Sequence, residues 1–242
     1  MFFNKVNLRL FFKQICQLCR LQPAQLNGLC EDCHADLPWR LFPCPVCGLS
    51  RTSPMADCPD CQRLQPAFDH TCVALDYRFP LTQLLPAIKY HQQLRTLGWL
   101  APVLAAQIRD TEQALPHCLL PVPMHPWDQL RRGHNQAALL AEQLGRQLNI
   151  PVQYQALQKI RHTRKQHRLS ARQRRHNLQG AFALNKPLPS HVALVDDVMT
   201  TGSTLNEIAR LLKSQGVLRV DNWVIARTPE SQDSTEETDE IE

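Results

Sequence analysis

The sequence predicts an α/β protein, a mostly parallel sheet flanked by helices with a small cysteine-rich module ahead of it. Three observations carry that expectation. From about Asp69 onward, short β-prone runs alternate with helical stretches, as in successive strand–helix–strand units. Eight of the ten cysteines fall between positions 16 and 61, in matched pairs. Hydrophobic residues make up 43% of 242, which is enough for a packed core and excludes wholesale disorder.

In chain order, the opening MFFNKVNLRLFF carries Lys5 and Arg9 within its apolar stretch and lacks a small-residue cleavage site, so it does not read as a signal peptide. No run of about 18 apolar residues follows, so no membrane span is expected and the expected address is the cytoplasm. Residues 71–79 (TCVALDYRF) read as a strand, and 80–110 as helical, with apolar positions at Leu81, Leu84, Leu85, Ile88, Leu97, Leu100 and Leu104. HCLLPVP (117–123) is an apolar strand running into a Pro-rich loop, and 134–148 has clear helical periodicity. ALQKI (156–160) is a weak strand candidate, whereas HVALVDD (191–197) is the strongest buried strand. Residues 204–216 form an amphipathic helix stopped by a Gly, and VDNWVIAR (220–227) is a closing strand. Cys72 and Cys118 read as core thiols, and Trp39, Trp99 and Trp127 as core or interface residues rather than base stackers.

The eight paired cysteines are Cys16/Cys19, Cys30/Cys33, Cys44/Cys47 and Cys58/Cys61. Each pair is C-x2-C, and each starts 14 residues after the last. Two thiolates at that spacing chelate one ion from a tight knuckle, and two knuckles complete a tetrahedral four-sulfur site. Four knuckles give two sites, with Gly48 supplying the positive φ that such turns need. Disulfides would need an oxidising compartment, and a redox pair would be a single CxxC beside a βαβ pattern. CEDCH at 30–34 matches a haem-attachment pattern but lies in register with three pairs lacking the His. Zinc is the expected metal, although ligand softness alone does not separate it from an iron–sulfur cluster. The expected pairing is sequential, because loops of about 10 residues close each site locally, with a crossed arrangement also chemically open. Closed four-thiolate sites are structural, and two zinc ions would explain how a stretch with few aliphatic runs folds.

Formal net charge is +5, but residues 229–242 hold seven acids and no base. The rest of the chain therefore carries 27 basic against 15 acidic side chains, a net of +12. Such a body expects an anionic partner, a phosphate, nucleotide or nucleic acid. The acidic tail reads as solvated, either for solubility or as a shield over the basic body.

The segment Val192–Thr204 (VALVDDVMTTGST) carries the most chemistry. An apolar strand delivers two adjacent carboxylates, Asp196 and Asp197, at its C-terminal end, followed by a Thr/Gly/Ser-rich turn and a helix. In a parallel sheet that edge is where ligands bind. The turn offers backbone N–H groups, hydroxyls and a helix N-terminus to a phosphate monoester. The carboxylates suit vicinal hydroxyls, so the assembly reads as a cradle for a sugar 5-phosphate. A plain N-cap would use one hydroxyl and would explain neither the two acids nor the full TTGST.

This segment resembles the phosphoribosyl-pyrophosphate (PRPP) loop of type I phosphoribosyltransferases. Arg131-Arg132-Gly133-His134-Asn135-Gln136-Ala137, Arg161-x-Thr163-x-x-Gln166-x-x-Leu169-Ser170 and Arg175-x-Asn177-Leu178-x-Gly180-Ala181-Phe182 narrow the resemblance to the ComF family (ComFC/GntX-like competence proteins). Family members likewise begin with CxxC knuckles. The resemblance covers about residues 14–228 and implies a phosphoribosyltransferase-type sheet behind a double zinc ribbon. It implies further that Asp196 and Asp197 hold the ribose hydroxyls and act at the catalytic centre. Thr200, Thr201, Gly202, Ser203 and Thr204 would hold the 5-phosphate. The loop Pro121–His125, with Val122, Pro123 and Met124, would take pyrophosphate with Mg²⁺. Where some phosphoribosyltransferases carry a third Asp, this chain has Thr200, so base activation by the loop is unsupported. The last strand is followed only by the acidic tail, so a hood over the acceptor would come from the cysteine module or from 69–110.

Residues 161–175 hold seven bases, Arg161, Arg164, Lys165, Arg168, Arg172, Arg174 and Arg175, with His162 and His167 and no acid. Three uses are open: a loop closing over pyrophosphate, a patch for the phosphate backbone of single-stranded DNA, or a solvated face. Tyr154 and Phe182 flank the run without interleaving it, which favours backbone contact over base readout. Lys89, His91 and Arg95 resemble a further basic motif of the family. The expected organisation is a double zinc ribbon over 1–66, a phosphoribosyltransferase-like domain over 67–228 and an acidic tail over 229–242. The family implies a role in DNA uptake, natural transformation or use of DNA as a nutrient, and in nucleotide metabolism, with competence and DNA-processing proteins as partners. Two readings follow: a transferase of phosphoribose to an unidentified acceptor, or a non-catalytic single-stranded-DNA adaptor in which the PRPP loop is a sensor or relic.

Overall fold

The structure is a computed structural model that describes residues 14–25, 28–51, 58–91, 96–161 and 178–229, the side chains of 89–91 excepted. Arg95, the side chains of Lys89 and His91, most of the basic run and the acidic tail beyond Pro229 therefore lie outside the described residues.

Four parallel strands form the main sheet: β1 (His70–Asp76), β2 (Cys118–Pro121), β5 (His191–Met199) and β6 (Arg219–Arg227), in the order β1-β6-β5-β2. β5 and β6 lie in the centre and are almost wholly buried, as their unbroken apolar runs require. A parallel bridge between Leu119 and Val152 extends the sheet beyond β2. β3 (Leu157–Lys159) and β4 (Phe182–Leu184) pair antiparallel as a separate two-stranded ribbon. The weak strand at 156–160 thus exists, outside the main sheet, and its partner β4 escaped the sequence because only three residues pair.

Two short helices, α1 (Glu31–Ala35) and α2 (Pro59–Leu64), belong to the cysteine module. The helical stretch 80–110 divides into α3 (Leu81–His91) and α4 (Leu97–Asp110). α5 (Pro126–Arg132), α6 (Gln136–Leu148) and α7 (Ser203–Ser214) complete the set. α7 ends as expected of its Gly: Gly216, at φ +91°, donates to Lys213 O and Val217 donates to Leu212 O, which closes a Schellman motif.

The sheet divides the interior in two. On one side α4 and α6 pack Trp99, Leu100, Leu104, Leu140 and Leu144 against Ala193, Val195 and Trp223. On the other, α7 packs Leu205, Ile208 and Leu212 against Leu194, Val220 and Val224, joined by Leu178, Ala181 and Phe182. The cysteine module straddles the β1 edge. Residues 38–45 run antiparallel to β1, with Asp76 N–H donating to Pro38 O, Arg40 N–H to Ala74 O and Thr71 N–H to Pro45 O. Cys16, Leu29, Cys30 and Leu37 then enter the α4 side of the core, while Val46 and Ala67 pack on the α7 side.

At the opposite end of the sheet from the strand C-termini, Asp221 (2% exposed) accepts from His191 Nε2 and from Arg219 Nε, both at 2.9 Å. Asp221→Ala strands both partners. The expected loss is about 2–3 kcal/mol, below the full cost of an orphaned buried charge because the Arg219 side chain keeps 32% of its surface exposed. Thermal denaturation should show a fall in Tm of roughly 4–12 °C.

Candidate functional site

Two cysteine centres and one crevice carry chemistry. Cys16, Cys19, Cys30 and Cys33 form one group and Cys44, Cys47, Cys58 and Cys61 the other, with all four sulfurs of each within 4.8 Å of one another. The pairing is the sequential one. A tetrahedral zinc with Zn–S near 2.3 Å places its sulfurs about 3.8 Å apart. Cys19–Cys30 at 3.8 Å, Cys44–Cys61 at 3.6 Å and Cys47–Cys58 at 3.5 Å fit that ion.

Both centres are built alike. The first pair lies in a turn whose next residue is left-handed, Arg20 at φ +58° and Gly48 at φ +70°. Arg20 and Gly48 N–H close those turns on Cys16 O and Cys44 O. The second pair opens a short helix, Cys30 preceding α1 and Cys58 preceding α2. Gly48 has a second reason to be Gly: a Cβ there would lie 3.1 Å from Thr71 Cγ2 and Val73 Cγ1. Without a cation the sulfurs share protons unequally. The hydrogen bond from Cys47 holds the Cys44 thiol down at about 4, and the same bond with burial pushes Cys47 up. Four thiolates become compatible only around a cation. Cys72 and Cys118 are buried elsewhere, and burial pushes the Cys72 thiol up to about 12, as expected of an inert core thiol.

The crevice forms between the C-terminal ends of β2 and β5. These neighbouring strands send their chains to opposite faces: β2 leads through Val122–His125 and α5 to α6 on one side, β5 leads to α7 on the other. That divergence is a topological switch point, where α/β sheets open a ligand crevice. Val122 N–H donates to Val195 O at 2.9 Å, so the Val122–Met124 loop lies directly beside Asp196 and Asp197. Asn135 caps α6 and donates through Nδ2 to Val122 O at 3.0 Å, which fixes that loop.

Asp196 Oδ1 accepts the N–H of Asp197, and Asp197 Oδ1 accepts that of Val198, both at 2.9 Å. Asp196 is half-buried and Asp197 is 8% exposed. The chain then turns through exposed Thr200 and half-buried Thr201 to Gly202, the N-cap of α7. Gly202 sits at φ +76°, and an added Cβ would meet Met199 Cε at 2.5 Å. Gly202 itself brings no capping side chain, and the Ser203 N–H donates instead to Thr201 Oγ1 at 3.4 Å. The Thr201 and Ser203 hydroxyls converge there, 2.9 Å apart.

Of the sequence-predicted residues, the eight cysteines form two centres, and Val122, Pro123, Met124, Asp196, Asp197 and Thr200–Thr204 share one end of the sheet. Of the basic run, Arg161 alone is described; it is exposed and donates to Gln179 O at 2.7 Å. Arg164, Lys165, Arg168, Arg172, Arg174 and Arg175 lie outside the described residues. The stem of that run is anchored to α7, where Gly180 N–H donates to Glu207 Oε1 at 2.9 Å. Trp99 is core at 1% exposed, Trp39 packs partly buried against His34, and Trp127 is 72% exposed on α5, so it is no core residue.

Sequence reasoning missed four buried or half-buried polar groups. Arg40 and Arg227 are 7% and 5% exposed at the junction of module and sheet. Gln136, 4% exposed beside Asn135, has Nε2 without a hydrogen-bond partner among the described residues. Lys159 stands 5.9 Å from the Phe182 ring centroid, and burial lowers its pKa against the pull of Asp128. Among the described residues no helix is long and apolar enough to cross a membrane.

A mostly parallel sheet with this crevice, behind two four-cysteine centres, defines a phosphoribosyltransferase-type domain with an N-terminal double zinc ribbon. The Phosphoribosyl transferase domain family model matches residues 134–240. The chain is 39% identical over 228 residues to Competence protein F of Haemophilus influenzae, covering 90% of this chain and 98% of that protein. It is 36% identical over 220 residues to DNA utilization protein YhgH of Salmonella typhimurium, covering 88% and 97%, and 35% identical over 221 residues to the Escherichia coli K12 protein of that name. The chain belongs to this ComF family of competence and DNA utilization proteins. A purine phosphoribosyltransferase of Pyrococcus horikoshii aligns structurally with TM-score 0.32 at 16% identity, over 63% of this chain and 95% of that one.

Cys44→Ser removes one ligand from the second centre alone. Zinc content measured by atomic absorption should fall by about one ion per chain, with the first centre still loaded.

Proposed function

We propose that this chain binds PRPP with Mg²⁺ in the β2–β5 crevice and serves the uptake or use of DNA. The observation that carries the reading is the switch point itself, with paired carboxylates on one side and a hydroxyl-lined helix N-terminus at its end. The first turn of α7, with Thr201 and Ser203, would receive the 5-phosphate, whose charge suits the positive end of the helix dipole. Asp196 and Asp197 would accept from the ribose hydroxyls. The Val122–Met124 loop would present backbone to pyrophosphate. The carboxylates are the hard oxygen donors that Mg²⁺ takes, and the ion would neutralise charge on the departing pyrophosphate. Cationic side chains around the crevice would act in the same sense. In a transfer, the bond from the anomeric carbon to pyrophosphate breaks with its electron pair leaving on oxygen. An acceptor nucleophile then bonds to that carbon and gives up its proton.

A second reading, a single-stranded-DNA adaptor in which PRPP is sensed rather than turned over, is favoured by one residue. Thr200 stands where a third acid would serve a nucleobase, and its carbonyl accepts the Thr228 hydroxyl at 3.1 Å. The names of the relatives, competence and DNA utilization, supply the DNA role to both readings.

Asp196→Ala/Asp197→Ala should abolish calorimetric binding of PRPP with Mg²⁺ while zinc content stays unchanged; retained affinity would refute the ribose assignment. Product formation on offering candidate acceptors separates transferase from sensor. Replacing Arg172, Arg174 and Arg175 together should weaken single-stranded DNA binding by a similar factor for every sequence and flatten its salt slope by about two. An unchanged slope would return the run to a solvated face.

A further inference from the structure

Two buried arginines join the second cysteine centre to the Asp196–Thr204 loop. Arg227 donates through Nε to Cys47 O and through Nη1 to Met199 O, both at 3.1 Å. Arg40 donates through Nη1 to Gly48 O at 2.7 Å and through Nη2 to Arg227 O at 3.0 Å. Its charge is met by Asp76 at 2.6 Å, and its side chain is 1% exposed. Beyond Arg227, Thr228 N–H donates to Met199 O and its hydroxyl to Thr200 O, both at 3.1 Å. One knuckle therefore offers the carbonyls of Cys47 and Gly48 to two guanidinium groups, and one of these holds the residue from which the loop springs.

The direction of those carbonyls depends on the cysteine centre. The Cys44–Gly48 turn is short, closed by Gly48 N–H on Cys44 O, and bonds from Cys44 and Cys47 to a shared ion would fix its peptide planes. If the ion leaves, the turn relaxes and both guanidinium groups lose buried acceptors. That loss is costly, so the groups must shift to new partners. Met199 O is the acceptor through which the shift reaches the loop.

We propose that Arg227, braced by Arg40, is a positioning residue that couples metal at Cys44, Cys47, Cys58 and Cys61 to the geometry of the Asp196–Thr204 loop, so that occupancy of this centre sets the loop's affinity for a phosphoribosyl ligand. The ligand half rests on the proposed PRPP reading; the coupling to the loop does not. Among the described residues no such link leaves the first centre, where Cys16 and Cys30 pack on the other side of the sheet with α4. Cys44, Cys58 and Cys61 of the second centre line a cleft with Arg51 and Gln62.

The test is amide hydrogen exchange over 196–206 in the full, zinc-loaded chain. Cys61→Ser and Arg227→Gln should each speed exchange about tenfold, and the double variant no further, since both cut one path. Arg227→Lys, which cannot reach both carbonyls at once, should restore less than half of the effect on a logarithmic scale. Cys33→Ser should leave loop exchange at the wild-type rate. Additive effects in the double variant, or equal acceleration by Cys33→Ser, would overturn the coupling in favour of general loosening. If Arg227→Gln does not fold, wild-type protein supplies the same test. Stripping the second centre with a chromogenic chelator should speed loop exchange about tenfold, and unchanged exchange would sink the proposal. Saturating PRPP should tighten the equilibrium zinc affinity of that centre by the factor by which zinc tightens PRPP. Wild-type protein that binds no PRPP would remove the ligand reading, while the exchange comparison would still decide the coupling.

Discussion

An all-parallel sheet has to hide two faces and two edges, and the β1 edge governs the architecture of this protein. Left open, it would expose a row of unpaired N–H and C=O groups. Residues 38–45 pair with it antiparallel, and because this strand joins the two cysteine centres, closing the edge throws one centre onto each face. Arg40 lies on that strand and is buried as a consequence. It cannot find water at the crossing, so it is answered by Asp76 and by the carbonyls of Gly48 and Arg227. The cysteine module is thus part of the core, contributing Cys16, Leu29, Cys30 and Leu37 to one apolar cluster.

The crevice follows from chain direction. β2 and β5 are neighbours whose following helices pack on opposite faces, so the two outgoing loops part at that point. What lines the crevice is then local chemistry. Gly202 is favoured by its left-handed φ of +76°. The helix that starts there offers its N-terminal N–H groups, with the Thr201 and Ser203 hydroxyls beside them, to a charged oxygen.

Legibility in the sequence tracks range. Zinc knuckles, strands β1, β2, β5 and β6 and the Asp196–Thr204 loop are specified within a dozen residues each, by spacing or by unbroken apolar runs, and they stand where the pattern put them. β5 ran two residues further than its hydrophobicity, to Met199, because β6 offers partners that far. α5 was invisible because PWDQLRR leaves Trp127 and Leu130 exposed and has no apolar face to detect. Arg40 and Arg227 were illegible for a deeper reason. A lone arginine beside an apolar run reads as a solvated strand end, and only the contact across 187 residues shows both ends of the pair to be buried.

The same helix serves both anionic partners in the proposed function. α7 presents its N-terminus to the crevice, and one turn on, Glu207 holds Gly180 at the stem of the basic run. Leu178, Ala181 and Phe182 enter the α7 core beside Leu205 and Ile208, so the stem cannot shift without disturbing the helix that frames the phosphate loop. A phosphoribosyl ligand at the α7 N-terminus and a nucleic-acid backbone on the run anchored one turn along would therefore act on one rigid element. A body carrying a net of +12 outside its acidic tail attracts both by long-range field, with salt weakening each. The anchor of the run at Leu178–Phe182 and the phosphate loop are thus framed by one helix, with the cysteine module holding the opposite side of the loop.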